Sequence, residues 1–454
     1  MKEEVYGEEL LSLSLGINGH WCSDAAKKRK RKDDSDDVVE KKLFGLLHMR
    51  DRMMRLNPNK MHGLEDSKGL HLIHLLLLSA SAVDSNNASS AVDTLMELFQ
   101  KVSLNGDPIQ RVAAYFSDGL AARLFTRKSP FYGAIMVDPS PVEEFLAFTE
   151  LYRASPYYQF AHFTANQIII EAFEQEEMNN CRSLHVIDFD VSYGFQWPSL
   201  IQSLSDKAAS SKPISLRISG FGQSMDELKG TEMRLASFAK GCRNIVFEFE
   251  GLVRGNGSNN ELKIKKNATV VVNLVLYLST LKSYNEITET LRSIHRMNPS
   301  AVVVVEKEGG RSPRSFLSRF MDSLHYYAAM FDSLDDCLPA ESSERLSIEK
   351  NHLGKEIKCC ITSEEKELEE DNVRYEKVDT WKGMMESIGY QGVRLSSRSL
   401  SQAKLLLKIK SHCSSMEHGS NGGFQVIERD EGMAISLGWQ DRNLVTASAW
   451  HHVP

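Results

Sequence analysis

Two carboxylates spaced two residues apart, Asp188 and Asp190, follow the apolar run Leu184-His185-Val186-Ile187 and precede Gly194-Phe195-Gln196-Trp197. Alternate residues of an extended chain share a side, so the pair is placed as an acid and a base would be. A strand that ends in an acidic residue and leads through a loop into a helix is also how methyltransferases hold S-adenosylmethionine. That chemistry sets two requirements. Glycines spaced G-x-G-x-G must follow the acidic residue so that backbone can approach the ligand, and the next strand must end in an acidic residue for the ribose hydroxyls. Here the three glycine places hold Asp190, Ser192 and Gly194, and the next strand runs into Ser219-Gly220-Phe221-Gly222. No histidine or nucleophile is spaced to join the carboxylates, and His185 has no second His, Cys or carboxylate at metal-ligand spacing. The sequence therefore predicts no catalytic residue, no metal and no cofactor. The acidic pair reads as a polar cluster that satisfies loop amides at a strand end, and a methyltransferase-like small-molecule site is the rival reading.

The elements that position this segment show in the texture of the chain. From residue 180 on, strands alternate with helices, the pattern of a mainly parallel sheet flanked by helices. Strands are predicted over 184–189, 214–218, 245–249, 268–274 and 302–307, with helices over 197–205, 224–241, 281–297, 315–332 and 381–388. The unbroken Thr269-Val270-Val271-Val272 points to burial on both faces. Residues 403–409, 424–428, 435–439 and 444–450 read as further strands. The expected fold is α/β and Rossmann-like, in the methyltransferase-like manner, over 136–454. Before it, residues 63–135 predict a leucine-rich helical cap, with Leu70, Ile73, Leu76 and Leu77 at helical spacing.

Composition bounds what the whole chain can be. Its 454 residues are 42% hydrophobic and 25% charged, enough for a large core. A net charge of −7 repels a phosphate backbone, so any DNA contact must be local. The cysteines are scattered without C-x2-C spacing, as in a reducing compartment. The greasiest run, 69–83, is interrupted by His71 and His74 and is shorter than the roughly 20 residues that cross a bilayer, so neither secretion nor membrane spanning is expected.

Residues 1–60 read as a mobile arm, because their short apolar clusters are separated by charged blocks. Leu11, Leu13 and Leu15 alternate with serines and place three leucines on one side of an extended strand, ready for a groove. Lys27, Lys28, Arg29, Lys30, Arg31 and Lys32 form an uninterrupted cationic block suited to an import receptor, and so to the nucleus. Two LxxLL strings, Leu43, Leu46, Leu47 and Leu72, Leu75, Leu76, are candidates for presenting leucines to a partner.

Taken together, several segments carry a family resemblance. Residues His185, Val186, Ile187, Asp188 and Asp190, with Gln196 and Trp197, resemble the VHIID motif of the plant GRAS family. Upstream, 157–167 resembles that family's lead-in, and the ending with Trp439, Arg442, Ser448, Ala449 and Trp450 resembles its SAW motif. Glu344-Arg345 and Lys355-Glu356-Ile357 match the later part of the PFYRE region, although Tyr326-Tyr327 stand where its Pro-Phe-Tyr opening belongs. The branch it looks nearest to is the scarecrow-like and nodulation-signalling one. The resemblance implies a nuclear regulator of transcription that is not an enzyme and acts through other GRAS proteins, as homo- or heterodimers, and through transcription factors. Direct sequence-specific DNA binding is the alternative it allows. The alternating leucines resemble the ethylene-response-type amphiphilic repression motif, which implies a Topless-type corepressor as partner.

Overall fold

The structure is a computed structural model and describes residues 34–54, 66–208, 212–255, 262–281, 283–309, 315–339, 341–363, 376–411 and 423–452. The described residues fall into two units, one within the stretches Met1–Leu151 and Arg314–Glu365, the other within Tyr152–Pro313 and Lys366–Pro454.

The first unit is helical. Its helices Ala88–Lys101 and Pro108–Arg123 start where Asn87 and Asp107 accept hydrogen bonds from the amides of Ser90 and Gln110, and Pro108 supplies a preset first turn. Helix Pro108–Arg123 is buried on every side from Gln110 to Ala122, which makes it the axis of the unit. Around it pack Asp66–Asp84, Ala88–Lys101, Phe316–Cys337 and Gly354–Thr362. A π-helical turn, Glu349–Leu353, precedes the last of these. Gly354 follows the turn because a Cβ there would lie 2.6 Å from the Tyr115 ring and 2.8 Å from the Glu349 carbonyl. Buried Arg111 donates to Glu349 Oε1 (2.9 Å), Asp335 Oδ1 (2.7 Å) and the Gly106 carbonyl (2.7 Å), while Arg345 donates to Glu349 Oε2 (2.8 Å).

Two expectations are corrected in this unit. The stretch read as a mobile arm contains a helix, Asp34–Met54, whose Leu43, Leu46 and Met53 are buried against Ala88–Lys101. Few apolar residues suffice there because they fall on one face, and Lys42 holds Asp93 at 2.7 Å beside them. Both LxxLL strings are consequently packing residues: Leu43, Leu46, Leu72, Leu75 and Leu76 are buried and Leu47 is half-buried. Leu11, Leu13, Leu15 and the cationic block 27–32 lie outside the described residues.

The second unit is built on one sheet. Its strands are β1 (Ser183–Asp188), β2 (Ile214–Gly222), β3 (Ile245–Val253), β4 (Thr269–Val275), β5 (Ala301–Lys307), β6 (Tyr390–Val393), β7 (Phe424–Arg429), β8 (Ala434–Trp439) and β9 (Arg442–His452). The order is β3-β2-β1-β4-β5-β9-β8-β7, with β6 also on β9. The first five are parallel; β6 and β9, β5 and β9, and the β7-β8-β9 meander are antiparallel. The α/β, Rossmann-like expectation therefore holds, and all its early strands fall within a few residues of prediction. β1, β4 and β5 are buried along their whole length, as continuous apolar runs in a covered parallel sheet require.

Residues 403–409, read as a strand, belong instead to helix Ser397–Ser411. Ala403 and Leu406 are buried at helical spacing, the helix packs on Pro156–Gln175, and Ser396 Oγ caps its start by accepting from the Ser399 amide (3.1 Å). A short apolar run cannot by itself tell a strand from one face of a helix.

Candidate functional site

The strand order reverses between β1 and β4, the place where open α/β sheets receive ligands beyond the carboxyl ends of their strands. Asp188 ends β1 and lies opposite Asn273 of β4. Asn273 Nδ2 donates to Asp188 Oδ1 (3.0 Å) and to Gln196 Oε1 (3.1 Å). Gln196 returns a bond from Nε2 to Asn273 Oδ1 (3.0 Å) and another to Asn166 Oδ1 (3.1 Å). Asn166 Nδ2 closes the chain onto the Gln196 carbonyl (2.9 Å) and Ser199 Oγ (2.8 Å). Every one of these side chains is buried except that of Ser199, which is half-buried, so each bond satisfies a group that would otherwise be costly to desolvate.

Burial pushes the Asp188 carboxyl up to about 7, with the like charge of Asp190 adding to the rise and the Asn273 hydrogen bond opposing it. The buried Trp197 indole N–H lies close enough to lower it slightly, without a hydrogen bond of standard geometry. Asp190 stands apart from this. Its amide donates to Asp188 Oδ1 (3.3 Å), its own Oδ1 accepts from the Ser192 amide (3.2 Å), and its carboxylate pairs with Arg254 (2.6 Å). The two acids thus satisfy loop amides, and each has a separate environment.

The loop after β1 fills the crevice with the chain's own side chains. Phe189 stacks on Phe221 (5.2 Å between centroids) and leans on Tyr277 (5.3 Å), and the Arg254 guanidinium covers the Tyr277 ring (5.4 Å). The Val191 amide donates to the Phe221 carbonyl (3.0 Å), and its side chain presses where Gly220 would carry a Cβ, only 3.0 Å away. Gly194, the one glycine retained at the expected spacing, has φ +75° and leaves room for Thr231, whose Cγ2 would meet a Cβ at 2.8 Å. It serves the loop's fold.

His185 faces a different network. The Lys265 amide donates to Nδ1 (3.2 Å), which leaves the ring proton on Nε2 for Ser219 Oγ (2.9 Å); Ser219 donates on to Glu250 Oε2 (2.8 Å), which also accepts from Arg217 (2.8 Å). Burial, with the Arg217 charge beside it, brings the imidazole down to about 4, so it is neutral at physiological pH. A serine between histidine and carboxylate reverses the order a nucleophilic triad needs. Val186 and Ile187 are core residues of β1.

The chain belongs to the GRAS domain family. That family's sequence profile matches residues 72–451. Protein SCARECROW of Arabidopsis thaliana is 35% identical over 396 residues, covering 85% of this chain and 56% of that protein. The DELLA protein GAIP of Cucurbita maxima is 31% identical over 435 residues, covering 94% and 69%. Among solved structures, that of SCL7 in Oryza sativa superposes with a TM-score of 0.67 at 30% identity, covering 84% of this chain and 99% of that one. The chain spans about half the length of the curated SCARECROW relatives it matches. These relatives agree with the scarecrow-like reading of the VHIID-like segment.

Within this GRAS chain the two named motifs do not form one site. The VHIID-like segment sits on β1, and the SAW-like segment sits on β8 and β9, beyond β4 and β5. Trp450 is buried and donates to Ser448 Oγ (2.9 Å), Ala449 pairs with Val303, and Trp439 lies across the hairpin from Arg442 and against Phe424 (4.9 Å). These residues anchor the antiparallel end of the sheet. Asn166, Asn273, Phe189, Phe221, Arg254 and Tyr277 were not foreseen as site residues. Asn273 left a signal: it is the one polar side chain between Val270 and Val275. Among the described residues no group of acidic, histidine and cysteine side chains is arranged to hold a metal, and no helix is long and apolar enough to cross a membrane.

Proposed function

We propose that this chain regulates transcription in the plant nucleus through protein contacts, with the sheet unit as a scaffold that performs no catalysis. The observation that carries the reading is the family match over 72–451 combined with a crevice packed by Phe189, Val191, Phe221 and Tyr277 where a ligand would enter. Two features of the sequence add to it: the cationic block 27–32 fits nuclear import, and Leu11, Leu13 and Leu15 fit a corepressor groove of Topless type. Partners would include transcription factors and other GRAS proteins, and DNA would be reached through them.

Alanine at Leu11, Leu13 and Leu15 together should relieve repression of a tethered reporter severalfold while leaving nuclear accumulation intact. Unchanged repression would remove the corepressor role. Selection of bound duplexes from a random DNA pool supplies the complementary check, since enrichment of one short sequence by the purified chain would replace indirect DNA association with direct reading.

A further inference from the structure

The sheet has two edges, and they are finished differently. At one, helix Ser397–Ser411 packs on β7. At the other, β3 pairs only with β2. All of β3 stays in register with β2, from Ile214 opposite Ile245 to Gly222 opposite Val253, so no bulge turns the strand away. Just outside the strand, the Ile214 amide donates to the Asn244 carbonyl (3.0 Å) and the Arg254 amide to the Gly222 carbonyl (3.0 Å). Residues 244 and 254 therefore face β2. Backbone groups alternate sides along a strand, so the even-numbered residues of β3 also bond inward, and Ile245, Phe247, Phe249, Gly251 and Val253 turn their N–H and C=O groups outward. No described residue pairs with these outward groups. Proline, lysine and bulges are the usual means of blunting such an edge, and β3 has none of them.

The two faces of this edge differ in chemistry. On the side of helix Met225–Lys240, where a Cβ on Gly251 would meet Leu228 at 3.0 Å, Ile245, Phe247 and Phe249 are half-buried. On the other side Val246 is 58% exposed and stands in a row with Glu248 and Glu250. Arg217 bonds Glu250 (2.8 Å) but stays 3.9 Å from the exposed Glu248. We infer that the β3 edge takes up an extended segment of a partner protein as a further strand, one whose residues alternate between apolar and basic. Main-chain hydrogen bonds to the outward groups supply the affinity. Its apolar side chains cover Phe247 and Phe249, and on the opposite face a lysine or arginine meets Glu248. This deepens the partner element of the proposed function and rests on that reading only for its use in the cell.

Fluorescence anisotropy of the labelled peptide Lys-Val-Lys-Val-Lys-Val-Lys against the full chain tests it. The comparisons are the same residues reordered as Lys-Lys-Val-Val-Val-Lys-Lys and the alternating peptide N-methylated throughout. Wild type should bind the alternating order at least about fivefold more tightly than the reordered one, and the N-methylated copy, which has no N–H to donate, should not bind. Glu248→Lys should weaken the alternating peptide by at least about fivefold and favour Glu-Val-Glu-Val-Glu-Val-Glu in its place. Phe247→Pro loses an N–H that points outward and leaves the ladder to β2 whole, so it should abolish binding with circular dichroism unchanged. If that variant does not fold, Glu248→Lys and the N-methylated peptide still read the same edge. Equal binding of the two orders or of the N-methylated copy overturns the inference, and so does indifference to Glu248→Lys. Self-association of the chain alone that Phe247→Pro removes would give the edge to a second copy and overturn it too. The readout is peptide binding in solution, so it fails separately from the reporter result for the leucine variants.

Discussion

The helical unit and the sheet unit both bury ionisable groups, but they tolerate them by opposite means. In the helical unit a buried carboxyl is matched by cations: Arg111 and Arg345 converge on Glu349, opposing the upward push of burial on its carboxyl, and Arg111 also reaches Asp335. In the sheet unit two buried carboxyls have no ion-pair partner among the described residues and face amides instead. Asp188 and Glu306 are both pushed up to about 7 by burial, and amides of Asn166, Gln196 and Asn273 extend the network from Asp188. Desolvating an ion costs several kcal/mol, which a partner offsets only while it is present. A carboxyl that takes up a proton avoids that cost but becomes sensitive to pH. The helical unit should therefore be vulnerable to loss of a partner, and the sheet unit to alkali.

The largest effect is expected at Glu349. Replacing it with alanine leaves Arg111 and Arg345 buried without their shared carboxylate, and stability should fall by about 3–5 kcal/mol. Urea denaturation measures this directly, and a loss under about 1 kcal/mol would break the contrast on the helical side. The next effect concerns Asp188→Asn, which keeps an acceptor oxygen for Asn273 and removes the titration. The folded-state value, about 7, lies above the ordinary 3.8, so between these the folded chain holds a proton that the unfolded chain has released. Wild-type stability therefore declines across that window and levels off above it, while the contribution of residue 188 in the variant stays flat. The variant should gain on wild type by roughly 2–4 kcal/mol from the acid to the alkaline end. Denaturation curves at a series of pH values decide it: parallel pH profiles would mean that Asp188 is not held neutral.

Much of this contrast was not legible in the sequence, for physical reasons that differ by region. Strands β1, β4 and β5 were readable because a parallel sheet covered on both faces demands continuous apolar runs. The helix Asp34–Met54 was missed because its apolar residues are few and only their arc around the helix makes them a core face. β6 was missed because four residues with Gln391 and Gly392 among them carry no pattern, and only pairing with β9 makes them a strand. The amide chain could not be foreseen because Asn166 and Asn273 are 107 residues apart in sequence and meet only through Gln196.

The smallest predicted effect sharpens the comparison within the sheet unit, where one buried histidine, kept neutral by burial and the Arg217 charge, also joins a relay of hydrogen bonds. Ser219→Ala removes the acceptor for His185 Nε2–H and the donor to Glu250 at once. A buried donor without a partner costs more than the bond itself contributes, so a loss of about 1–2 kcal/mol is expected. Measured at pH 8 the value reports the hydrogen bonds alone, because His185, brought down to about 4 in the folded state from its ordinary 6.5, is neutral both folded and unfolded there. Below pH 6.5 a second contribution enters. The unfolded chain takes up a proton that folded His185 refuses, so stability declines as pH falls from 6.5 through 4 in wild type. If the alanine variant declines in parallel, burial alone keeps His185 neutral and the relay only positions it. If its decline is shallower, the freed ring has found a way to hold the proton, and the relay to Ser219 and Glu250 is part of what excludes charge from this face of the sheet.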